Sequence, residues 1–209
     1  MKNLESYSVI IFDLDNTLYN EIEYLNRAFN YIGHKISQIN KNCLPDKIHE
    51  FLLNEFKLNG RKNLYQKLVD KLNINNYQLL DFLTDLRTVP IKDNSIKLNS
   101  ELFHFINTNI DNFKFIIATN GNIIQQQNKI RSIDIPFKNK FKIVYCDMFG
   151  LDNRKPSPFF IHFLRKKYKF NLDEMIFIGD SDTDKLAALN GKIDFLNIGE
   201  FCNEYLIHN

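Results

Sequence analysis

The feature that most constrains how this 209-residue chain can fold is a series of five short apolar segments, most of them separated by segments with helical periodicity. The apolar segments are rich in β-branched and aromatic residues and end in polar residues or glycine, which favours buried strands over helices. They cover residues 9–12, 113–118, 142–146, 175–178 and 195–198. Strands that alternate with helices predict an α/β, Rossmann-like fold, in which helices cover both faces of a parallel sheet and form three layers with it.

One long interval, from about residue 21 to residue 87, interrupts this alternation because it has helical periodicity and no convincing strand. Breaks at Pro45, at Asn59-Gly60 and at residues 73–76 divide it into about four helices. A connection between parallel strands needs only one helix, so four ordinary crossover helices are the weaker interpretation. The sequence therefore predicts an α/β core, residues 1–18 and 92–209, with an inserted all-helical domain at residues 19–91.

Composition excludes several classes of protein. Hydrophobic residues make up 44% of the chain and charged residues 25%, which argues against disorder. A net charge of +2 argues against proteins that bind nucleic acid or a membrane surface by charge. No apolar segment approaches the ~20 residues of a membrane span, the first residues lack a signal-peptide core, and the three cysteines have no metal-ligand spacing. We therefore expect a reduced, cytoplasmic protein, whose oligomeric state the sequence does not predict.

Two aspartates follow the first predicted strand directly. Asp13 and Asp15 are spaced i and i+2, so on an extended strand their side chains share one face and could meet one reactant. A carboxylate at the end of a buried strand needs a cation or several hydrogen-bond donors. For this motif alone, a turn with two solvated aspartates is an equally good interpretation.

The second and third predicted strands end in groups that could bind an anion. Thr119-Asn120-Gly121 offers a hydroxyl and backbone N–H groups at the start of a helix, although an ordinary helix cap explains the same residues. After the third strand, either Arg154 or Lys155 could direct a positive charge into a site. A lone lysine is usually solvated, so this signal needs support from the others.

The fourth predicted strand again leads into acidic residues. Gly179 permits a tight turn, Asp180 follows it, and Asp184 lies about one helical turn further on. Carboxylate oxygens from two strand ends, with neither histidine nor cysteine beside them, suit Mg²⁺ better than Zn²⁺. In open α/β sheets ligands bind beyond the carboxyl ends of the strands, so the four strand ends together indicate one site far more specifically than any one of them does.

Taken in chain order, these motifs are Asp13-x-Asp15-x-Thr17, Thr119, Lys155-Pro156 and Gly179-Asp180-Ser181-x-x-Asp184. The series resembles the four motifs of the haloacid dehalogenase (HAD) superfamily. The helical block between the first two motifs resembles the type-1 cap of phosphoglycolate-phosphatase-like and nucleotidase-like members. The resemblance implies the strand order 5-4-1-2-3, which places the strands that precede Asp13 and Asp180 side by side.

The resemblance also implies roles for the matching residues. Asp13 would attack phosphorus as the nucleophile, and Asp15 would protonate the leaving alcohol and then activate water. The Asp13 carboxylate, the Asp15 backbone carbonyl and Asp180 would bind Mg²⁺. The remaining roles are phosphate binding, by Thr119, the Asn120 N–H and Lys155, and support of the site, by Thr17, Ser181 and Asp184.

The second aspartate of the first motif separates two activities within the resemblance. Dehalogenase members, which use no metal, lack the acid at the position of Asp15, so its presence favours phosphoryl chemistry. Two residues depart from the usual pattern: Asn16 stands where glycine is usual, and Thr183 stands where asparagine often precedes the last acid. Either Asp182 or Asp184 could therefore complete the metal site.

Together the motifs predict a Mg²⁺-dependent phosphatase that hydrolyses a small phosphorylated metabolite through an aspartyl-phosphate intermediate. A phosphomutase or phosphotransferase would use the same residues with a second hydroxyl in place of water, and a binding or regulatory protein that has retained the pocket is the alternative outside catalysis. We expect no nucleic-acid or membrane partner. The cap should close over the site, and the residues near its predicted hinges that could contact the leaving group are Tyr19, Asn20, Glu21 and Arg87.

Overall fold

The computed structural model describes residues 3–74 and 76–206, and a five-stranded sheet lies at its centre. The strands are β1 (Val9–Phe12), β2 (Lys114–Thr119), β3 (Lys142–Tyr145), β4 (Met175–Gly179) and β5 (Asp194–Asn197). All neighbours pair in parallel, in the order β5-β4-β1-β2-β3. The predicted α/β fold and the strand order implied by the resemblance are therefore confirmed.

Strand β1 lies in the middle of the sheet and is buried on both faces. Its side chains alternate, so Ile10 and Phe12 pack into a large cluster on one face, and Val9 and Ile11 pack into a second cluster on the other. All four side chains are fully buried. Burial on both faces explains why the sequence of this strand is a continuous apolar run and not an alternating one.

Between β1 and β2 the chain forms the helices α1 (Glu21–Ile39), α2 (Pro45–Asn59), α3 (Leu64–Leu72) and α4 (Leu79–Thr88). Pro45 is the first residue of α2, and residues with positive φ, Gly60 and Asn73, follow α2 and α3. The sequence breaks therefore lie where the helices begin and end. The division of the chain into a core and a separate cap, residues 19–91, stays a prediction.

The remaining helices are α5 (Ser100–Asn109), α6 (Ile123–Ser132), α7 (Phe159–Tyr168), α8 (Asp182–Gly191) and the short α9 (Ile198–Phe201). Helix α6 packs against α4, so it joins the sheet layer to the helical interval. Two-residue strands at Ile96–Lys97 and Ile133–Asp134 also pair in parallel, and they are too short for any sequence pattern to predict. Within the described residues, every helix lacks the combination of length and apolar composition that a membrane crossing requires.

Candidate active site

The predicted site residues meet at one edge of the sheet, because the strands that precede them are neighbours. Phe12 of β1 is in register with Ile178 of β4 on one side and with Ile117 of β2 on the other. The backbone N–H of Asp13 continues the ladder by donating to the Ile178 carbonyl at 2.9 Å. Residues that follow β1, β2 and β4 therefore converge at the carboxyl ends of the strands.

Three carboxylates form a cluster at this edge. Asp13, Asp180 and Asp184 each offer one oxygen, and these oxygens all lie within 4.8 Å of one another. Asp184 is the third residue of α8, where a capping box with Ser181 orients it; the Ser181 hydroxyl donates to Asp184 Oδ2 at 2.6 Å. The acid that joins the cluster is therefore Asp184, and Asp182 is exposed in the first turn of α8.

A buried lysine faces the carboxylate cluster. Lys155 Nζ forms an ion pair with Asp13 Oδ1, lies 2.6 Å from Asp184 Oδ1 and donates to the Ala118 carbonyl at 3.1 Å. The side chain of Asn120 holds the Lys155 backbone with two hydrogen bonds, one donated to the Lys155 carbonyl at 2.9 Å and one accepted from its N–H at 3.0 Å. Of the two cations that the sequence left open, Lys155 reaches the site, and Arg154 instead pairs with Asp147.

The electrostatics of the cluster favour a cation. Burial and the neighbouring charge of Asp184 raise the pKa of Asp13 to about 7, even though Lys155 acts to lower it. Burial disfavours the charge on Lys155, but Asp13 and Asp184 hold its pKa above the ordinary value. One lysine does not balance the charge of three carboxylates. Asp184 Oδ1 is also buried, and although it lies close to Lys155 Nζ, it accepts no well-formed hydrogen bond from a described residue. Three carboxylate oxygens of this kind fit a hard divalent cation.

The Asp15 carboxylate is not one of the three in the cluster and has its own partners. Lys129, a fully buried residue of α6, donates to both Asp15 oxygens at 2.8 and 2.7 Å, and the Tyr19 hydroxyl donates to Oδ1 at 2.7 Å. Burial raises the pKa of Asp15, although the positive charge of Lys129 opposes this. The Asp15 carboxylate therefore lies outside the group of oxygens that could hold a metal, and the role that the resemblance gives to its backbone carbonyl stays a prediction.

Lys129 also joins Asp15 to the helical interval. Its Nζ lies 2.5 Å from Glu21, the first residue of α1, and Glu21 forms a second ion pair with Arg61 from the loop between α2 and α3. Burial acts to raise the pKa of Glu21, but Lys129 and Arg61 lower it to about 2. The sequence reasoning missed Lys129 and Arg61. Helix α6 did carry a signal. Its buried residues are Gln125, Gln126, Lys129, Ile130 and Ser132. Most of them are polar, and a polar buried face indicates a network of hydrogen bonds or ion pairs.

The turn between β1 and α1 explains one departure from the family pattern and leaves one prediction without support. Asn16 has φ +59°, a conformation that asparagine tolerates better than most residues, and its side chain accepts a hydrogen bond from the Glu21 N–H at 3.1 Å. Asn20 caps α1 by accepting from the Ile22 N–H. Thr17 is buried, and its hydroxyl has no hydrogen-bond partner among the described residues, so the support that the resemblance implies for Thr17 stays a prediction.

The predicted anion cradle follows β2. Thr119 is buried with its hydroxyl 3.2 Å from Gln126 Oε1, and the Gly121 N–H donates to Asp147 Oδ1 at 2.8 Å. Helix α6 begins later than expected, and its N-cap is Asn122, which accepts from the Gln125 N–H. Asn122 thus takes the capping role that was the alternative for Thr119 and Asn120.

A polar cavity of about 530 Å³ opens beside these residues. We call it the polar cavity; its lining includes Asp15, Asn120, Gln126, Arg61, Arg87 and Arg154. Among the predicted hinge residues, Arg87 therefore lines the cavity, whereas Tyr19 and Glu21 act through Asp15 and Lys129. The cavity offers a space for a ligand between the strand ends and the helical interval.

The glycine that ends β4 is required for close approach and not, as the sequence suggested, for a turn conformation. A Cβ atom at Gly179 would lie 2.6 Å from Asp184 Oδ2 and 2.7 Å from Asp184 Cβ.

Gly179→Ala should therefore displace Asp184, destabilise the fold by about 1–3 kcal/mol and weaken divalent-cation binding. Urea unfolding and calorimetric titration with the cation measure both effects. Gly199→Ala is the control, since the nearest atom to its new Cβ is 3.3 Å away; equal losses in both variants would contradict this explanation.

Comparison with known sequences gives two findings. The family model for haloacid dehalogenase-like hydrolases matches residues 10–198. The chain is 27% identical over 217 aligned positions to a phosphoglycolate phosphatase from Colwellia psychrerythraea, and the alignment covers 97% of this chain and 91% of that protein.

Solved structures share the fold at lower identity. A HAD-superfamily hydrolase, subfamily IA, variant 1, from Geobacter sulfurreducens has a TM-score of 0.59 at 16% identity, over 91% of this chain and 86% of that one. The HAD-hydrolase YfnB from Bacillus subtilis, bound to magnesium, has a TM-score of 0.60 at 18% identity, over 90% of this chain and 85% of that one. At these identities the likeness shows the fold alone.

Proposed function

This chain belongs to the haloacid dehalogenase-like hydrolase family, and we propose that it is a Mg²⁺-dependent phosphatase that hydrolyses phosphomonoesters of small metabolites. The observation that carries the proposal is the position of Asp13, whose carboxylate pairs with Lys155 and belongs to one cluster with the acids Asp180 and Asp184. The phosphoglycolate phosphatase relative supports phosphomonoesters as the substrate class.

In the proposed reaction Asp13 is the nucleophile. One of its carboxylate oxygens attacks phosphorus, the bond from phosphorus to the ester oxygen breaks, and the phosphoryl group becomes an acyl phosphate on Asp13. Lys155 orients the carboxylate through Oδ1 and offsets negative charge where the phosphate binds. Thr119 and the Asn120 N–H are the proposed donors to the phosphoryl oxygens, because both follow β2 at the same edge.

Asp15 is the proposed general acid and base. It lines the polar cavity, where the leaving alcohol would lie, and gives the ester oxygen a proton as the bond to phosphorus breaks. The resulting carboxylate then takes a proton from a water molecule that attacks phosphorus, which releases inorganic phosphate and regenerates Asp13. Lys129 and Tyr19 hold the carboxylate in place throughout.

Asp13, Asp180 and Asp184 are the residues that would hold Mg²⁺, with the Asp15 backbone carbonyl as the resemblance implies. The ion would offset the repulsion between the anionic nucleophile and the phosphate dianion. The magnesium bound to YfnB supports this choice of metal. A cytoplasmic location fits the three free cysteines, Cys43, Cys146 and Cys202, since reduced thiols persist in that compartment.

Removal of the metal gives a direct test. With p-nitrophenyl phosphate as substrate, chelation by EDTA should lower kcat/KM by about 100-fold or more, because a bound metal supplies several kcal/mol of transition-state stabilisation. Excess Mg²⁺ should restore the rate, and thermal melting should show that the EDTA-treated protein is folded. Activity that survives chelation would contradict the metal assignment. Measurement of inorganic phosphate alongside p-nitrophenol separates hydrolysis from transfer to another hydroxyl.

A further inference from the structure

A second cavity lies inside the helical interval, and no step of the proposed mechanism uses it. Its volume is about 460 Å³, within the range of small-molecule pockets. All four helices of the interval contribute apolar side chains to its wall: Leu25 and Phe29 from α1, Phe56 from α2, Leu64 from α3, and Phe82 and Leu86 from α4. We call this space the interhelical cavity.

The interhelical cavity adjoins the polar cavity. Four residues line both spaces, namely Arg61, Arg87, Asn122 and Gln125. Asp15, the proposed general acid, lines the polar cavity but not the interhelical cavity. A ligand whose ester oxygen lies near Asp15 could therefore extend past them into the interhelical cavity.

The shared residues form a polar junction, but its charges are not equally available. Glu21 already neutralises Arg61. Arg87 is half-buried and pairs with no acidic residue in the part of the chain that the structure describes. A guanidinium without a partner at this point can donate to phosphate oxygens on the side of the junction that faces Asp15. Beyond the junction, the wall is predominantly apolar carbon.

We infer that the alcohol half of the substrate occupies the interhelical cavity, so that the substrate is a phosphomonoester of a mainly apolar alcohol, at least as large as a six-carbon chain or ring. This inference rests on the proposed phosphatase function. Burial of an apolar group against the helices is favourable. A short acid such as glycolate would leave the apolar walls unfilled, and a carboxylate placed beyond the junction, against those walls, would lose its hydration without compensation.

A series of n-alkyl phosphates tests the inference with little change in leaving-group chemistry. Values of kcat/KM for ethyl, butyl and hexyl phosphate should rise by roughly fourfold per methylene, or about 250-fold over the four methylenes of the series. Hexyl phosphate should also exceed 5-carboxypentyl phosphate, which has the same chain and a terminal charge, by roughly tenfold or more. A flat series, or a preference for glycolate phosphate over hexyl phosphate, would overturn the inference.

Measurements of binding affinity distinguish a wrong cavity assignment from a wrong phosphatase assignment. The matching ethyl, butyl and hexyl phosphonates cannot be hydrolysed, and calorimetry reports their affinities without turnover. A protein that hydrolyses none of the esters yet binds the phosphonates in a rising series would contradict the phosphatase function and support the cavity assignment. Equal affinities across the phosphonates would overturn the cavity assignment itself.

A variant that fills the cavity provides the matched test. Leu83→Trp, on the wall from α4, should lower the ratio of hexyl to ethyl phosphate kcat/KM by roughly tenfold, because the larger side chain occupies the space of the alkyl chain. Leu79→Trp is a second filling variant, at a half-exposed wall position that tolerates added volume. Leu58→Trp, on the exposed face of α2, should leave the ratio unchanged. An unchanged ratio in folded filling variants would overturn the inference.

Discussion

Asp13→Asn should lower kcat by about 10⁴-fold or more, the loss expected when an enzyme loses its nucleophile. An amide oxygen is a far weaker nucleophile than a carboxylate, and the substitution also removes one of the three negative charges that could hold the cation. The decrease should appear with every phosphomonoester, including p-nitrophenyl phosphate, whose good leaving group needs little help from Asp15.

The same variant should retain its fold. Asparagine has nearly the shape of aspartate, and Lys155 keeps Asp184 as an ionic partner 2.6 Å away. The melting temperature should therefore stay within about 4 °C of that of the unmodified protein, a shift that roughly 1–2 kcal/mol produces at this chain length.

Asp182→Asn is the matched control for this experiment. It makes the same chemical change at an exposed acid in the first turn of α8, outside the carboxylate cluster, and activity should persist. If the Asp13→Asn protein hydrolyses phosphate esters at the normal rate, Asp13 is not the nucleophile, independently of the result for Asp182→Asn.

Lys129→Met should destabilise the protein by about 3–5 kcal/mol, because it leaves the buried carboxylate of Glu21 and the half-buried carboxylate of Asp15 without their common cation. The lysine is fully buried and contacts Asp15 and Glu21 at 2.5–2.8 Å. Methionine has a similar volume, so the effect measures lost charge pairing and not a cavity. Urea unfolding followed by circular dichroism gives the change in the free energy of unfolding.

Two further variants identify the origin of that loss. Lys185→Met, at an exposed position of α8, makes the same substitution without a buried partner and should change the stability little. Glu21→Gln, combined with Lys129→Met in a double-mutant cycle, should show a coupling of roughly 1–3 kcal/mol between the two side chains. A coupling near zero, or a Lys129→Met effect no larger than that of Lys185→Met, would contradict the role of the buried ion pair.

Parts of the candidate site were accessible to sequence reasoning and others were not. Asp13, Asp180 and Lys155 follow apolar strands, and because parallel strands end at one edge, their proximity could be predicted. The structure brings these three together. The motifs left open whether Asp182 or Asp184 completes the site; the carboxylate of Asp184 is the one that lies within the cluster, where the capping box with Ser181 orients it.

Lys129 could not be assigned from its local sequence. It is separated from Glu21 by 108 residues and from Asp15 by 114, and it lies in a helix where a lysine is ordinarily solvated. Its contacts depend on how α6 packs against α4 and on where α1 begins, and neither follows from a motif. The shared wall of the polar and interhelical cavities likewise depends on tertiary packing, since three separate segments build it: the loop between α2 and α3, helix α4, and the start of α6.

Local sequence patterns predicted the five strands of the main sheet, most of the helices, the edge of the sheet at which the motif residues meet, and the family that the motifs resemble. These properties depend on neighbouring residues, through apolar periodicity, helix termination and the spacing of acids along one strand. The pairing of the charged groups depends on tertiary packing and could not be predicted locally: Lys129 pairs with Asp15, and Lys155 pairs with Asp13. Helix packing sets those contacts, because the energy of a buried charge depends on every group within a few ångströms of it, however distant those groups are along the chain.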